Sequence, residues 1–249
     1  MKRTRFITML LMTILVLGLC IVPACKTQVI GLVKDPTFTF EAITSGKMAI
    51  GGVTSALKRM PDAERNRYAD MMRMRFLGER ESFIILPAGI VAHFLGHDEY
   101  RNMLDEYRTY GRLSDKMKQR LITNFKVARY IVFARIEKDN ISKSRRDVVR
   151  DEFGKELENK KTIMEITRST DVSMNIYDLR TGVTVWSGTV EKYSSRSNEY
   201  VEKRKSKFFL IALVETILES RPEYPEPSSL DEQLGRIFTG FAKNLPEEK

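Results

Sequence analysis

The sequence predicts an α/β domain, and three observations predict it. Apolar runs of strand length stand at 47–56 ("KMAIGGVTSA"), 82–89 ("SFIILPAG") and 128–138 ("ARYIVFARIEK"), separated by segments whose apolar residues recur at helical spacing. A period of two returns over 172–190, on both sides of a glycine-bearing turn. The composition, 42% apolar and 30% charged, is that of a globular chain rather than a disordered one.

Taken in order, residues 25–46 read as a short tether with Pro36 and an alternating "TFTFEAI" piece, and the domain is expected over 47–249. Within the strand at 47–56, Gly51 and Gly52 suggest a bulge or a close backbone approach. Ser45-Gly46-Lys47 beside it is no phosphate loop, since that pattern needs glycine at 41 and Ser or Thr at 48, where the chain has Glu41 and Met48. Pro61 stands where a helix begins, and Tyr68, Met72 and Phe76 then recur every fourth residue. Met71, Met72 and Met74 read as gap-filling core. Pro87 closes "SFIILPAG" as a short buried strand. A helix follows from about Asp98 to Gly111, and Ser114 caps the next, with Met117, Leu121 and Phe125 on one face.

Two charged stretches interrupt the second half. Residues 138–161 mix Lys, Arg, Asp and Glu with few apolar positions and predict a solvated excursion, partly helical or mobile. A second polar, basic excursion falls near 191–205. Between them lies the strongest hairpin signal: Val172, Met174 and Ile176 alternate with Ser173 and Asn175, "DLRTG" turns with Gly182 left-handed, and "VTVWSGTV" returns. Trp186, the only tryptophan, is placed in the core. "FFLIALVETILES" at 208–220 predicts a buried helix too short to span a bilayer. After the turn "RPEYPEP" comes an amphipathic helix with Leu234, Ile237, Phe238 and Phe241 on its apolar side.

The first residues have a different logic. Lys2, Arg3 and Arg5 precede an apolar run from Phe6 to Val22 that Pro23 and Ala24 break, the order of an export signal over 1–24. A retained anchor is the alternative, but the run is short of the roughly 20 residues a span requires. Val22-Pro23-Ala24-Cys25 resembles the bacterial lipobox. The resemblance implies that the signal is cut before Cys25, that a diacylglycerol joins its sulfur, and that its new amine is acylated, with palmitate the expected kind of chain. Cys20 follows Leu19, does not fit, and falls in the discarded segment. With Cys25 modified, the mature body has no thiol left for a nucleophile, a thiolate metal site, a redox couple or a disulfide.

The net charge of +9 becomes +6 once Lys2, Arg3 and Arg5 leave. In an exported lipoprotein that excess suits anionic headgroups or an acidic envelope partner better than nucleic acid. His93 and His97 are the only histidines, four apart in "AHFLGHDEY". The zinc-protease pattern needs glutamate after the first histidine, where Phe94 stands, and Gly96 interrupts the helix that would align the pair. No G-x-S-x-G elbow is present. No catalytic residue, metal or cofactor is therefore expected, and the chain reads as a non-enzyme.

The order of elements, ending in "ARYIVFARIEKD" and "VSMNIYDLRTGVTVWSGTV", carries a resemblance. Its most specific part is an aromatic-aliphatic strand, then D-x-x-T-G, then aliphatic-x-x-Trp: here Asp178, Thr181, Gly182, Val183 and Trp186. It resembles the lipoprotein activators of penicillin-binding proteins (LpoB-type) and the periplasmic domain of the curli secretion channel (CsgG-type), over roughly 47–245. The resemblance implies one α/β domain with a mixed, largely antiparallel sheet flanked by helices. It also implies a lipid-anchored envelope protein that works by protein contact as a regulator or assembly factor. A membrane pore of the curli type is not expected, because the charged excursions lack the alternating apolar face that lipid demands. A self-assembling scaffold is the alternative, motivated by the curli likeness and "FFLIALV". Lys26 is not the aspartate that, by family resemblance, keeps lipoproteins at the inner membrane, so the expected location is the outer membrane, facing the periplasm.

Overall fold

The computed structural model describes residues 28–150, 153–202 and 223–248. The export signal, Cys25 and the helix expected at 208–220 lie outside them. The described strands are β1 (Ile30–Lys34), β2 (Met48–Ser55), β3 (Ile85–Leu86), β4 (Tyr130–Arg150), β5 (Glu156–Asp178) and β6 (Val183–Glu202). The helices are α1 (Phe40–Gly46), α2 (Asp62–Glu79), α3 (Ala88–Leu95), α4 (His97–Tyr110), α5 (Asp115–Asn124) and α6 (Leu230–Lys243).

The strands form one mixed sheet in the order β1-β6-β5-β4-β2-β3. β1–β6, β6–β5 and β5–β4 pair antiparallel, and β2 pairs parallel with both β4 and β3. All eight residues of β2 are buried, as a parallel strand with a helical layer on each face requires. On one face Met48, Ile50, Val132, Met174 and Trp186 join Met72 and Phe76 of α2 and Phe238 and Phe241 of α6. On the other Ala49, Ile131, Phe133 and Tyr177 join Val91, Leu104, Tyr107 and Leu121 from α3, α4 and α5. The fold class is the one the sequence predicts.

The glycine pair in β2 has a steric cause. A Cβ on Gly51 would lie 2.3 Å from Phe133 Cζ, and Gly52, at φ +150°, would place one 2.5 Å from Leu104 Cδ2. The ladder to β4 shifts register between Ile50 and Gly52, so a bulge and a close approach coincide. The hairpin is also as expected: Asp178 pairs with Val183 across a turn in which Gly182 has φ +73°. Tyr68, Met72 and Phe76 all face inward, and Ser114 Oγ accepts from the Met117 amide. Trp186 is fully buried, edge-on to Phe241 at 5.8 Å between ring centres.

Four expectations are corrected. From residue 28 on, the expected tether is part of the domain: β1 extends the sheet beside β6, Thr39 caps α1, and Phe38 and Ile43 sit in the core. Of "SFIILPAG" only Ile85 and Leu86 are strand, at the sheet edge, with Ile84 half exposed; Pro87 instead opens α3. Met74 is 61% exposed, because it lies on the face of α2 opposite Met72. The largest correction concerns the charged excursions near 138–161 and 191–205. Their described residues continue β4, β5 and β6 as paired strands, neither helical nor looped.

Candidate functional site

The three long strands outrun the described helices. β4, β5 and β6 have 21, 23 and 20 residues, whereas β2 stops at Ser55, opposite Ile136 of β4, and β1 begins at Ile30, opposite Thr189 of β6. Beyond those points β4 and β6 pair only with β5 among the described residues. The thirteen residues 138–150 would extend roughly 40 Å at strand rise. Among the described residues the result is a three-stranded ribbon with two open edges.

Alternation explains how so polar a sequence forms strand. Thr162, Met164, Ile166 and Thr170 of β5 are buried, and they share parity with the core residues Val172, Met174 and Ile176. One face is thus continuous with the core face that carries α2 and α6. A bulge at Glu137, where β4 shifts register between Ile136 and Lys138, brings Asp139 onto that face. There Arg168 donates from Nε to Asp139 Oδ1 at 2.7 Å, from Nη2 to Oδ2 at 2.6 Å, and from Nη1 to the Ser228 carbonyl at 2.9 Å. Asn198 donates to the Glu223 carbonyl at 3.3 Å, Arg196 pairs with Glu232 at 3.2 Å, and the Lys143 ammonium lies 5.2 Å from the Tyr224 ring centre. The segment 223–229 therefore lies along the ribbon, its carbonyls meeting the ribbon's donors.

The opposite face carries short hydroxyls around Glu165, which accepts from Ser144 at 3.5 Å and from Ser195, while Thr167 donates to Ser195 at 3.2 Å. Lys161 pairs with Glu199 at 2.7 Å across β5 and β6. The edges differ in charge. β4 from 138 on carries Lys138, Lys143, Arg145, Arg146 and Arg150 against Asp139 and Asp147, whereas β6 from 191 on carries Lys192 and Arg196 against Glu191, Glu199 and Glu202. The β4 edge is basic and the β6 edge is close to neutral.

The candidate residues of the sequence do not converge. Cys25 lies outside the described residues. His93 is exposed in the last turn of α3 and His97, also exposed, opens α4; Gly96, at φ +81°, separates the two helices. Among the described residues no three His, Cys, Asp or Glu side chains are grouped to hold a metal, and no helix is long and apolar enough to cross a membrane. The ribbon was the feature missed. Its signal lay in the parity of Thr162, Met164 and Ile166 with the hairpin, hidden by the charges between them.

No family model and no curated protein matches the chain. Among solved structures it is similar to a PelC dodecamer from Paraburkholderia phytofirmans, at 11% identity and TM-score 0.41, covering 87% of this chain and 96% of that one. It is also similar to the lipoprotein GNA1162 from Neisseria meningitidis, at 10% identity and TM-score 0.29, covering 70% and 94%. A hypothetical protein, CT253 from Chlamydia trachomatis, aligns at 15% identity and TM-score 0.28 over 61% and 72%.

Proposed function

We propose that the chain is a lipid-anchored envelope protein, non-catalytic, that acts by protein contact as a regulator or assembly factor of an envelope machine. The observation that carries this reading is the ribbon: strand edges that, among the described residues, are unpaired beyond the described helices and offer backbone donors and acceptors to an added strand. Charges on an edge strand discourage indiscriminate pairing, and the basic β4 edge favours an acidic partner segment. The lipobox-like residues before Cys25 support a lipid anchor, and Lys26 in place of the retaining aspartate favours the outer membrane, facing the periplasm.

Two experiments test it. Cys25→Ser should abolish incorporation of labelled palmitate and release the protein from the membrane fraction; retention with full labelling would overturn the anchor. A photo-crosslinking residue at Ser142 or Ser144 on β4 should capture one reproducible envelope protein in living cells, identified by mass spectrometry. Capture equal to that from exposed positions on α5 would overturn the ribbon as the contact. A second reading, a self-assembling scaffold, is favoured by the two edges of one ribbon, a basic β4 edge and a near-neutral β6 edge that does not repel it. It predicts crosslinks from β4 that end on β6 of another copy.

A further inference from the structure

We propose that a basic pocket at the foot of the sheet, remote from the ribbon, binds a phosphate-bearing anion. The pocket, a cavity of about 440 Å³, is formed where three connections meet: the end of α1, the α5–β4 segment and the β5–β6 turn. Lys47, Lys126, Arg129 and Arg180 line it, and no Asp or Glu does.

The charge is not cancelled locally. Asp178, buried beneath the turn, neutralises Arg129: its Oδ2 accepts from Nε at 2.9 Å and from Nη2 at 2.6 Å, and its Oδ1 accepts the Arg180 amide at 2.8 Å. Asp178 is thereby spent. Lys47, Lys126 and Arg180 are all exposed, and none pairs with a carboxylate among the described residues. Three like charges held together in one concavity raise the local potential and attract a multivalent anion. Phosphate oxygens match ammonium and guanidinium donors through short charge-assisted bonds.

The backbone holds these charges in place. The Arg129 amide donates to the Gly46 carbonyl at 2.6 Å, the Tyr130 amide to the Lys47 carbonyl at 3.2 Å, and the Leu179 amide to the Arg129 carbonyl at 2.7 Å. Each connection is thus stitched to the next. Gly46 permits the closest approach, since a Cβ there would lie 2.9 Å from Arg129 Cβ. Lys47 itself has φ +57° and ψ 158°, the only described residue other than glycine with positive φ. A backbone of that kind is strained and tends to occur where surroundings impose a functional geometry. A preformed frame lowers the cost of ordering the charged groups when the anion binds.

The test uses the full-length lipidated protein in detergent, with unfolding followed by Trp186 fluorescence while the probe is varied. Inorganic phosphate, or phosphatidylglycerol in the micelle compared with phosphatidylcholine, should raise the unfolding midpoint by mass action. The double substitution Lys126→Glu with Arg180→Glu, both exposed, should weaken the apparent affinity by about tenfold or more, the worth of one charge-assisted hydrogen bond. Lys192→Glu, elsewhere on the surface, should leave it unchanged. A response to phosphate identifies a free anion, and a response to phosphatidylglycerol alone identifies a lipid headgroup. No midpoint shift with either probe, or an equal loss in the Lys192→Glu control, would overturn the proposal.

Discussion

Arg168 and Asp139 meet across the β4–β5 pair through two parallel hydrogen bonds, and the same guanidinium reaches the Ser228 carbonyl. One side chain thus ties two strands of the ribbon to the segment that leads into α6. Both partners are largely shielded, with side chains 12% and 21% exposed. Arg168→Ala would strand Asp139 beside Thr170 in a poorly solvated position, and removing one member of such a pair costs about 3 kcal/mol. The check is the denaturant midpoint at neutral pH. Replacing both, Arg168→Met with Asp139→Leu, should recover most of the loss, because neither charge is then left alone.

The contact between Gly51 and Phe133 makes a second expectation. Gly51→Ala should lower stability by about 1–3 kcal/mol, the usual cost of forcing a methyl into a packed core. Adding Phe133→Leu should return part of it, since the methyl would otherwise meet the ring at 2.3 Å. Thermal melts of the two single variants and the pair would decide; simple additivity would show that the ring is not the obstacle.

Trp186 is buried, yet its Nε1 has no hydrogen-bond partner among the described residues. Trp186→Ala should cost about 3–5 kcal/mol by opening a cavity against Phe241. Trp186→Phe should cost clearly less, because it keeps an aromatic surface and removes an unsatisfied donor. As the single tryptophan, it should emit at short wavelength in the folded chain and shift to the red on denaturation.

Asp171 gives a pH dependence of definite sign. Burial raises its pKa above the ordinary 3.8, with Glu191 raising it further and Lys138, at 3.9 Å, partly opposing. A carboxyl whose pKa is raised by folding binds its proton more tightly in the native state. Its contribution is therefore fully present below pH 3.8 and is lost as the pH rises through the folded value. Asp171→Asn should flatten that part of the stability profile and stabilise the protein at pH 7. Unchanged midpoints from pH 3 to 7 in both proteins would refute it.

How much of this was legible in the sequence depended on the range of the signal. Helix α4 and its stop at Gly111, the Ser114 cap and the α6 stripe are local patterns, set by spacing and capping chemistry within one or two turns. The hairpin around Gly182 was equally plain, because turn and flanking alternation lie within twenty residues. The ribbon was not. Lys143, Arg145, Arg146 and Arg150 suggest solvated coil, and β propensity alone does not overcome that reading. They become strand because β5 supplies a full row of backbone partners and a buried stripe at Met164 and Ile166.

The basic pocket shows the same division. Lys47, Lys126 and Arg180 are scattered over more than a hundred residues, each unremarkable where it stands. The sequence by itself determined the α/β class, the helices α2, α4, α5 and α6, the hairpin with Trp186 in the core, and the lipobox-like residues at Cys25. Only the tertiary structure decided that residues 28–46 belong to the sheet and core, that the charged stretches are strands, and that three cations, unpaired among the described residues, face one cavity. The reason is physical: helices and tight turns are specified by neighbours in the chain. Sheet edges and charge clusters depend on partners brought close by folding, and no period in the sequence reports that distance.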